Sequence, residues 1–125
     1  ITGTWRYIDD KTGEPKGLVK MEKQANGTYA GTALKATPRP GYTAKEFCTN
    51  CPAPYTNKPI IGMQVISGLK TEDQVSYTNG KIIDPVSGKL YSLKGKISAN
   101  GKKLFLRGYI GVSAVGRSQT WLRVE

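Results

Sequence analysis

The chain has 125 residues with fifteen glycines, seven prolines and a formal charge of +10, which bounds it to one domain, residues 1–125, with a single core. It contains no histidine, so Ser–His–Asp and Cys–His catalytic arrangements are excluded outright. No apolar run approaches the roughly 20 residues of a membrane-spanning helix, and the chain reads as soluble.

Residues 2–8 (T-G-T-W-R-Y-I) have strand composition, with Trp5 and Tyr7 on one face and Arg6 on the other. Asp9, Asp10, Lys11, Thr12 and Gly13 make a turn. Residues 17–24 alternate, setting Val19 and Met21 against Lys20 and Glu22, and Asn26-Gly27 is a strong hairpin signal before a third strand at 28–37. From Pro38 to Pro59 the pattern dissolves. Five prolines (38, 40, 52, 54 and 59) and both cysteines fall there, and so long a connection in a small domain is often functional. Residues 60–66 (I-I-G-M-Q-V-I) then read as a short strand by their β-branched content.

Short strands at 74–78 and 81–83 flank a second Asn-Gly pair, Asn79-Gly80, and Asp84-Pro85-Val86-Ser87-Gly88 is a turn. Residues 89–98 alternate, with Tyr91, Leu93 and Ile97 opposite Lys94 and Lys96. A third pair, Asn100-Gly101, leads into residues 104–110, and a last strand covers 118–124. Eight or nine short antiparallel strands in meander order, with no helical period anywhere, predict an all-β fold: a single antiparallel up-and-down barrel of about eight strands. A barrel of that size is either filled by side chains or holds one small ligand. Gly3-x-Trp5 near the start is echoed by Trp121 and Arg123 near the end, so pairing of the first and last strands would close the sheet.

Two resemblances follow from these residues. Gly3-x-Trp5 on the opening strand, with Arg123 on the closing one, is similar to the lipocalin pattern, in which an arginine packs on a tryptophan at the closed end of the barrel. Over nearly its full length the chain also resembles the bacterial domain-of-unknown-function family number 2147. The motifs that carry this are G-T-W-R, D-D-K-T-G-E-P-K, C-T-N-C, N-K-P-I-I-G-M, N-G-K-I-I-D-P-V-S-G-K-L-Y and R-G-Y-I-G-V-S-A-V-G-R-S-Q-T-W-L-R. The resemblance implies a small exported protein with a lipocalin-like barrel, and it brings no activity or catalytic residue with it.

Among constellations, Cys48-Thr49-Asn50-Cys51 lacks the further ligands of a structural zinc site and the helical context of a redox dithiol. A disulfide pinning the long connection is the preferred reading. Asp9, Asp10, Glu14, Glu72, Asp73 and Asp84 sit in predicted turns and read as solvated turn residues. Gly108-x-x-Gly111 has no helix after it and cradles no phosphate. No metal, cofactor or enzymatic activity is expected.

By alternation, the candidate cavity walls are Val19, Met21, Leu34, Met63, Tyr91, Leu93, Leu104 and Leu106, and simple core packing accounts for them equally well. Met21, Met63, Tyr91, Leu93, Arg107 and Tyr109 are the expected ligand-binding residues; Gly3, Trp5, Trp121 and Arg123 are the expected closure. The expected function is non-enzymatic binding of a small apolar or amphipathic, fatty-acid-like ligand. The alternative is a polyanion-binding module, acting on nucleic acid or an envelope polymer through its basic face, and no specific nucleic-acid partner is expected. It draws on the basic C-terminal third, where eight basic residues stand against Glu125 for a net of +7 from residue 89 onward. A start at Ile1 rather than Met, with an even pair of cysteines, leads to the expectation of a secreted or periplasmic protein whose signal peptide is removed before Ile1.

Overall fold

The computed structural model describes residues 1–8, 12–37, 45–112 and 115–125. The expected turn residues Asp9, Asp10 and Lys11, and Pro38 and Pro40 of the long connection, lie outside the described residues. Eight strands follow in chain order: β1 (Gly3–Ile8), β2 (Pro15–Lys23), β3 (Tyr29–Ala36), β4 (Gln64–Leu69), β5 (Ser76–Ile83), β6 (Leu90–Ile97), β7 (Lys103–Tyr109) and β8 (Gly116–Arg123). Each pairs antiparallel with the next, and β1 pairs with β8 through Trp5↔Arg123 and Arg6↔Leu122, so the sheet is a closed barrel. Closure removes the open edges that would otherwise invite aggregation.

Two sequence expectations need correction. Asn79-Gly80 does not turn the chain; it is a bulge within a continuous β5. Tyr77 faces Gly95 and Gly80 faces Leu93, leaving one extra residue on β5. Asn79 takes up the left-handed backbone this requires (φ 63°), a conformation that asparagine tolerates better than most side chains. The apolar run 60–66 is not one strand either. Gly62 breaks it (φ 91°), β4 begins only at Gln64, and Ile61 points to solvent.

The barrel has two unlike ends. At one end lie both termini and the connections 24–28, 70–75 and 98–102. There the interior is filled by Trp5, Met21, Leu69, Tyr77, Leu104 and Trp121, all with almost no exposed surface. Even the inward glycines leave no room: a β-carbon at Gly31 would press on the Met21 sulfur, at Gly80 on Leu69, and at Gly95 on Leu106. Arg123 closes this end. Its guanidinium lies 4.4 Å above the Trp5 ring, and it donates to the Gly101 carbonyl (2.6 Å) and the Thr2 carbonyl (2.7 Å). Gly3, Trp5, Trp121 and Arg123 all lie at this end. Burial holds the Tyr77 phenol above its ordinary pKa, with Tyr29 and Asp73 beside it adding to the shift. Backbone N–H groups of Ser76 and Val75 hold the Asp73 carboxylate below its own while tying the 71–76 turn.

Outside the other end, residues 45–60 fold against the 84–88 turn. Cys48 and Cys51 form a disulfide with their Cα atoms 5.4 Å apart, and both sulfurs rest near the Pro85 carbonyl at 3.8 Å. Ile83 continues the β5–β6 ladder on the outward side, opposite half-exposed Leu90, yet is itself buried in one cluster with Cys48 and Cys51. Because the disulfide closes so short a ring, replacing both cysteines with alanine is expected to cost about 2 kcal/mol or less. Hydrogen exchange should quicken in residues 46–59 and stay unchanged in the closed end; a loss of protection throughout the barrel would contradict this local role.

Candidate functional site

Strand alternation decides which side chains can reach the interior. On β7 and β8 the ladder runs without a register break from Leu104↔Trp121 through Leu106↔Gln119 to Gly108↔Arg117. Leu104, Leu106 and Trp121 are buried, so Gly108, Gln119 and Arg117 carry the same inward alternation toward the second end. Arg107 and Tyr109 carry the opposite one. Arg107 lies across from Lys94 and Ser118 and donates to the Ser118 hydroxyl at 2.9 Å. Tyr109 has the Lys94 ammonium 6.0 Å from its ring centre. Both belong to the outer wall, so these two expected ligand-binding residues do not face the barrel interior.

The other expected residues divide by depth. Met21 is completely buried between its cross-strand partners Gly3 and Gly31, so it fills the closed end rather than lining a space. Leu93 is buried beneath Gly108, its partner on β7. Met63 is buried just before β4, where its carbonyl accepts from the Ala33 N–H at 2.9 Å. Leu34 is no wall: it is the extra residue of the β2–β3 bulge and is exposed. Of the six expected ligand residues, Tyr91 alone sits at the second end on the inward side and half-exposed.

Around Tyr91 the structure gathers residues that the sequence reading had not grouped. Tyr7, Ala33, Ile82, Tyr91 and Gln119 are inward and half-buried, unlike the fully buried ring at the closed end. Ile82 pairs with Tyr91 across β5–β6. Tyr7 packs on Trp121, centroids 5.5 Å apart, and the Gln119 side-chain oxygen accepts from the Trp121 indole N–H at 3.0 Å. Gly108 leaves a gap in this ring. A β-carbon there would meet only the Tyr91 Cβ, at 3.8 Å, whereas the corresponding positions at Gly31, Gly80 and Gly95 are taken. The result is a shallow apolar and aromatic mouth, with Gln119 in its wall and exposed Arg117 at its rim position on β8. Counting back by twos from Trp121 is the signal in the sequence that finds Gln119 and Arg117.

Among the described residues, two concavities are found outside the barrel. One, of about 470 Å³, runs over the outer wall of β5–β8 beside Thr78, Lys94, Lys96, Phe105, Arg107 and Thr120. The other, of about 500 Å³, lies between the 54–63 segment and β4, beside Tyr55, Lys58, Ile61 and Met63. Among the described residues no cluster of three or more His, Cys, Asp or Glu side chains is arranged to hold a metal, and no helix is long and apolar enough to cross a membrane.

Comparison with known proteins agrees with this architecture. Residues 3–123 match the profile of a family described as an uncharacterised protein conserved in bacteria, domain of unknown function 2147. No curated protein matches the chain. Among solved structures, a Helicobacter pylori protein described as belonging to the lipocalin family superposes with a TM-score of 0.81. It shares 22% sequence identity, over 99% of this chain and 82% of that one. At that identity the likeness is one of fold.

Proposed function

The chain belongs to that bacterial family of unknown function, and from this premise and the barrel's geometry we propose that it is a non-enzymatic binding protein for a small amphipathic anion. The ligand class is a fatty-acid-like carboxylate, its apolar part over Gly108 among Ile82, Tyr91 and Tyr7 and its charge toward Arg117. The observation that carries the reading is the contrast between a closed end packed solid and a mouth whose inward residues stay half-buried around an unfilled glycine. Ligand sites combine apolar walls with a few placed polar groups, and a guanidinium suits a carboxylate through paired N–H donors. Export to an oxidising compartment is part of the proposal, supported by the disulfide.

The test is titration of a fluorescent fatty-acid probe. Arg117→Gln is expected to weaken binding about tenfold, the scale of one hydrogen bond to a charged group, and Arg107→Gln on the outer wall to leave it unchanged. Equal binding by wild type and Arg117→Gln, or loss with Arg107→Gln alone, would overturn the mouth assignment.

The outer-wall concavity favours a second reading, the polyanion module. Lys94, Lys96 and Arg107 surround half-exposed Phe105 there, an arrangement in which cations follow phosphates and the ring stacks a base. Steep weakening with salt would mark this mode, while the mouth site should respond weakly.

A further inference from the structure

The exposed apolar side chains of this protein are not scattered evenly. Among the described residues the six most exposed large ones, Phe47, Ile61, Val86, Ile110, Val112 and Val115, range from 47% to 66% exposure. All six belong to the connections β3–β4, β5–β6 and β7–β8, which leave the barrel at the mouth. The closed end and the outer walls hold fewer and less exposed ones, such as Val75, Phe105 and Leu122. Isolated surface hydrophobics need no explanation, but a concentration of them marks an interaction site.

We infer that the mouth rim docks on an anionic phospholipid bilayer, with Ile110, Val112 and Val115 as the deepest inserted tip. The shape of the feature selects this occupant. The six side chains stand on three separate connections around an opening. A protein partner would need a matching surface for each projection, whereas a fluid interface accommodates all of them at once. The Val115 N–H donates to the Val112 carbonyl at 3.0 Å, which holds the two valines close together. Charge points the same way. The protein carries +10 overall, and among the described residues Lys35, Lys45, Lys58, Lys89 and Arg117 at the mouth end outnumber Glu14, Glu46 and Asp84. Basic residues near an apolar insertion gain attraction from anionic lipid within a Debye length. This goes beyond the proposed ligand site, since rim docking requires no ligand in the mouth.

Flotation with vesicles tests it, using the intact protein without ligand. Binding is expected to phosphatidylcholine vesicles containing a minority of phosphatidylglycerol, to fall several-fold at high salt, and to be weaker on phosphatidylcholine alone. The triple substitution Ile110→Ser, Val112→Ser, Val115→Ser removes apolar area from exposed positions and should reduce partitioning by about tenfold or more, with an unchanged melting temperature. Lack of binding to the anionic vesicles at low salt would overturn the inference, as would undiminished binding by the triple variant. Concentration-dependent self-association that the same substitutions abolish, without vesicle binding, would also overturn it, giving the rim to a second copy of the chain. Probe titration separates the two proposals: the triple variant should keep its affinity for the fatty-acid probe, and Arg117→Gln should keep much of its affinity for vesicles.

Discussion

Trp5→Ala is expected to remove about 3–5 kcal/mol of stability, the range for truncating a buried Trp or Phe. Trp5 has no exposed surface and joins three elements at once. Val19 faces it across β1–β2, Arg123 stacks over it from β8 at 4.4 Å, and its indole N–H donates to the Ile1 carbonyl at 2.8 Å. Truncation opens a cavity where the barrel closes and leaves the Arg123 guanidinium over empty space. Against a usual total of roughly 5–15 kcal/mol this is a large fraction, and it should lower the melting temperature by roughly 10–20 °C. Trp5→Phe keeps most of the volume and loses the indole hydrogen bond, so about 1–2 kcal/mol is expected. Chemical denaturation of both variants measures this; a Trp5→Ala loss below about 1 kcal/mol would mean that the closed end is not packed as described.

Gly88→Val should be nearly as damaging, by another route. Gly88 has φ 79°, where a β-branched residue is a genuine outlier, at a cost of about 1–3 kcal/mol. Its missing β-carbon is also what lets the Asn50 carbonyl approach, so a side chain pries the cysteine segment off the 84–88 turn. That separation adds about 1–3 kcal/mol and exposes sulfurs that are now buried. Gly101→Val is the control: φ is 72° there, and nothing stands within 4 Å of the added carbon. It should show the backbone cost alone. Thermal melts and the rate at which dithiothreitol reduces the disulfide report the two effects. Faster reduction in Gly88→Val, with Gly101→Val like wild type, is the expected pattern; equal reduction rates in all three would show that Gly88 does not hold the segment in place.

Much of the architecture was legible because alternation and turn chemistry are local. Asn26-Gly27 and Asn100-Gly101 do lie in hairpin connections, and Trp5 pairs with Arg123 where β1 meets β8. Asn79-Gly80 misled because the pair supplies a positive φ equally well to a bulge and to a turn. What decides is whether β6 continues pairing past it, and that is a non-local fact. Residues 60–66 misled because hydrophobicity outweighed one glycine. The site was less legible for a similar reason. Placing Arg107 and Tyr109 requires the β7–β8 register, since a shift by one residue exchanges inner and outer faces. Counting from Trp121 supplies that register only once β7 and β8 are known to pair without a bulge. The filled state of the closed end was beyond composition altogether, because it depends on Met21, Leu69 and Leu106 reaching over glycines of neighbouring strands.

The central claim is that the mouth, rather than the closed end or the outer wall, takes an amphipathic anion. The most direct measurement is a titration of isotopically labelled protein with a medium-chain fatty acid, followed by amide chemical shifts. The account predicts saturable changes concentrated at Tyr7, Ala33, Ile82, Tyr91, Gly108 and Arg117, with Met21, Leu69 and Leu104 still. Shifts centred on Lys94, Lys96, Phe105 and Arg107, or no saturable shift at all, would contradict it.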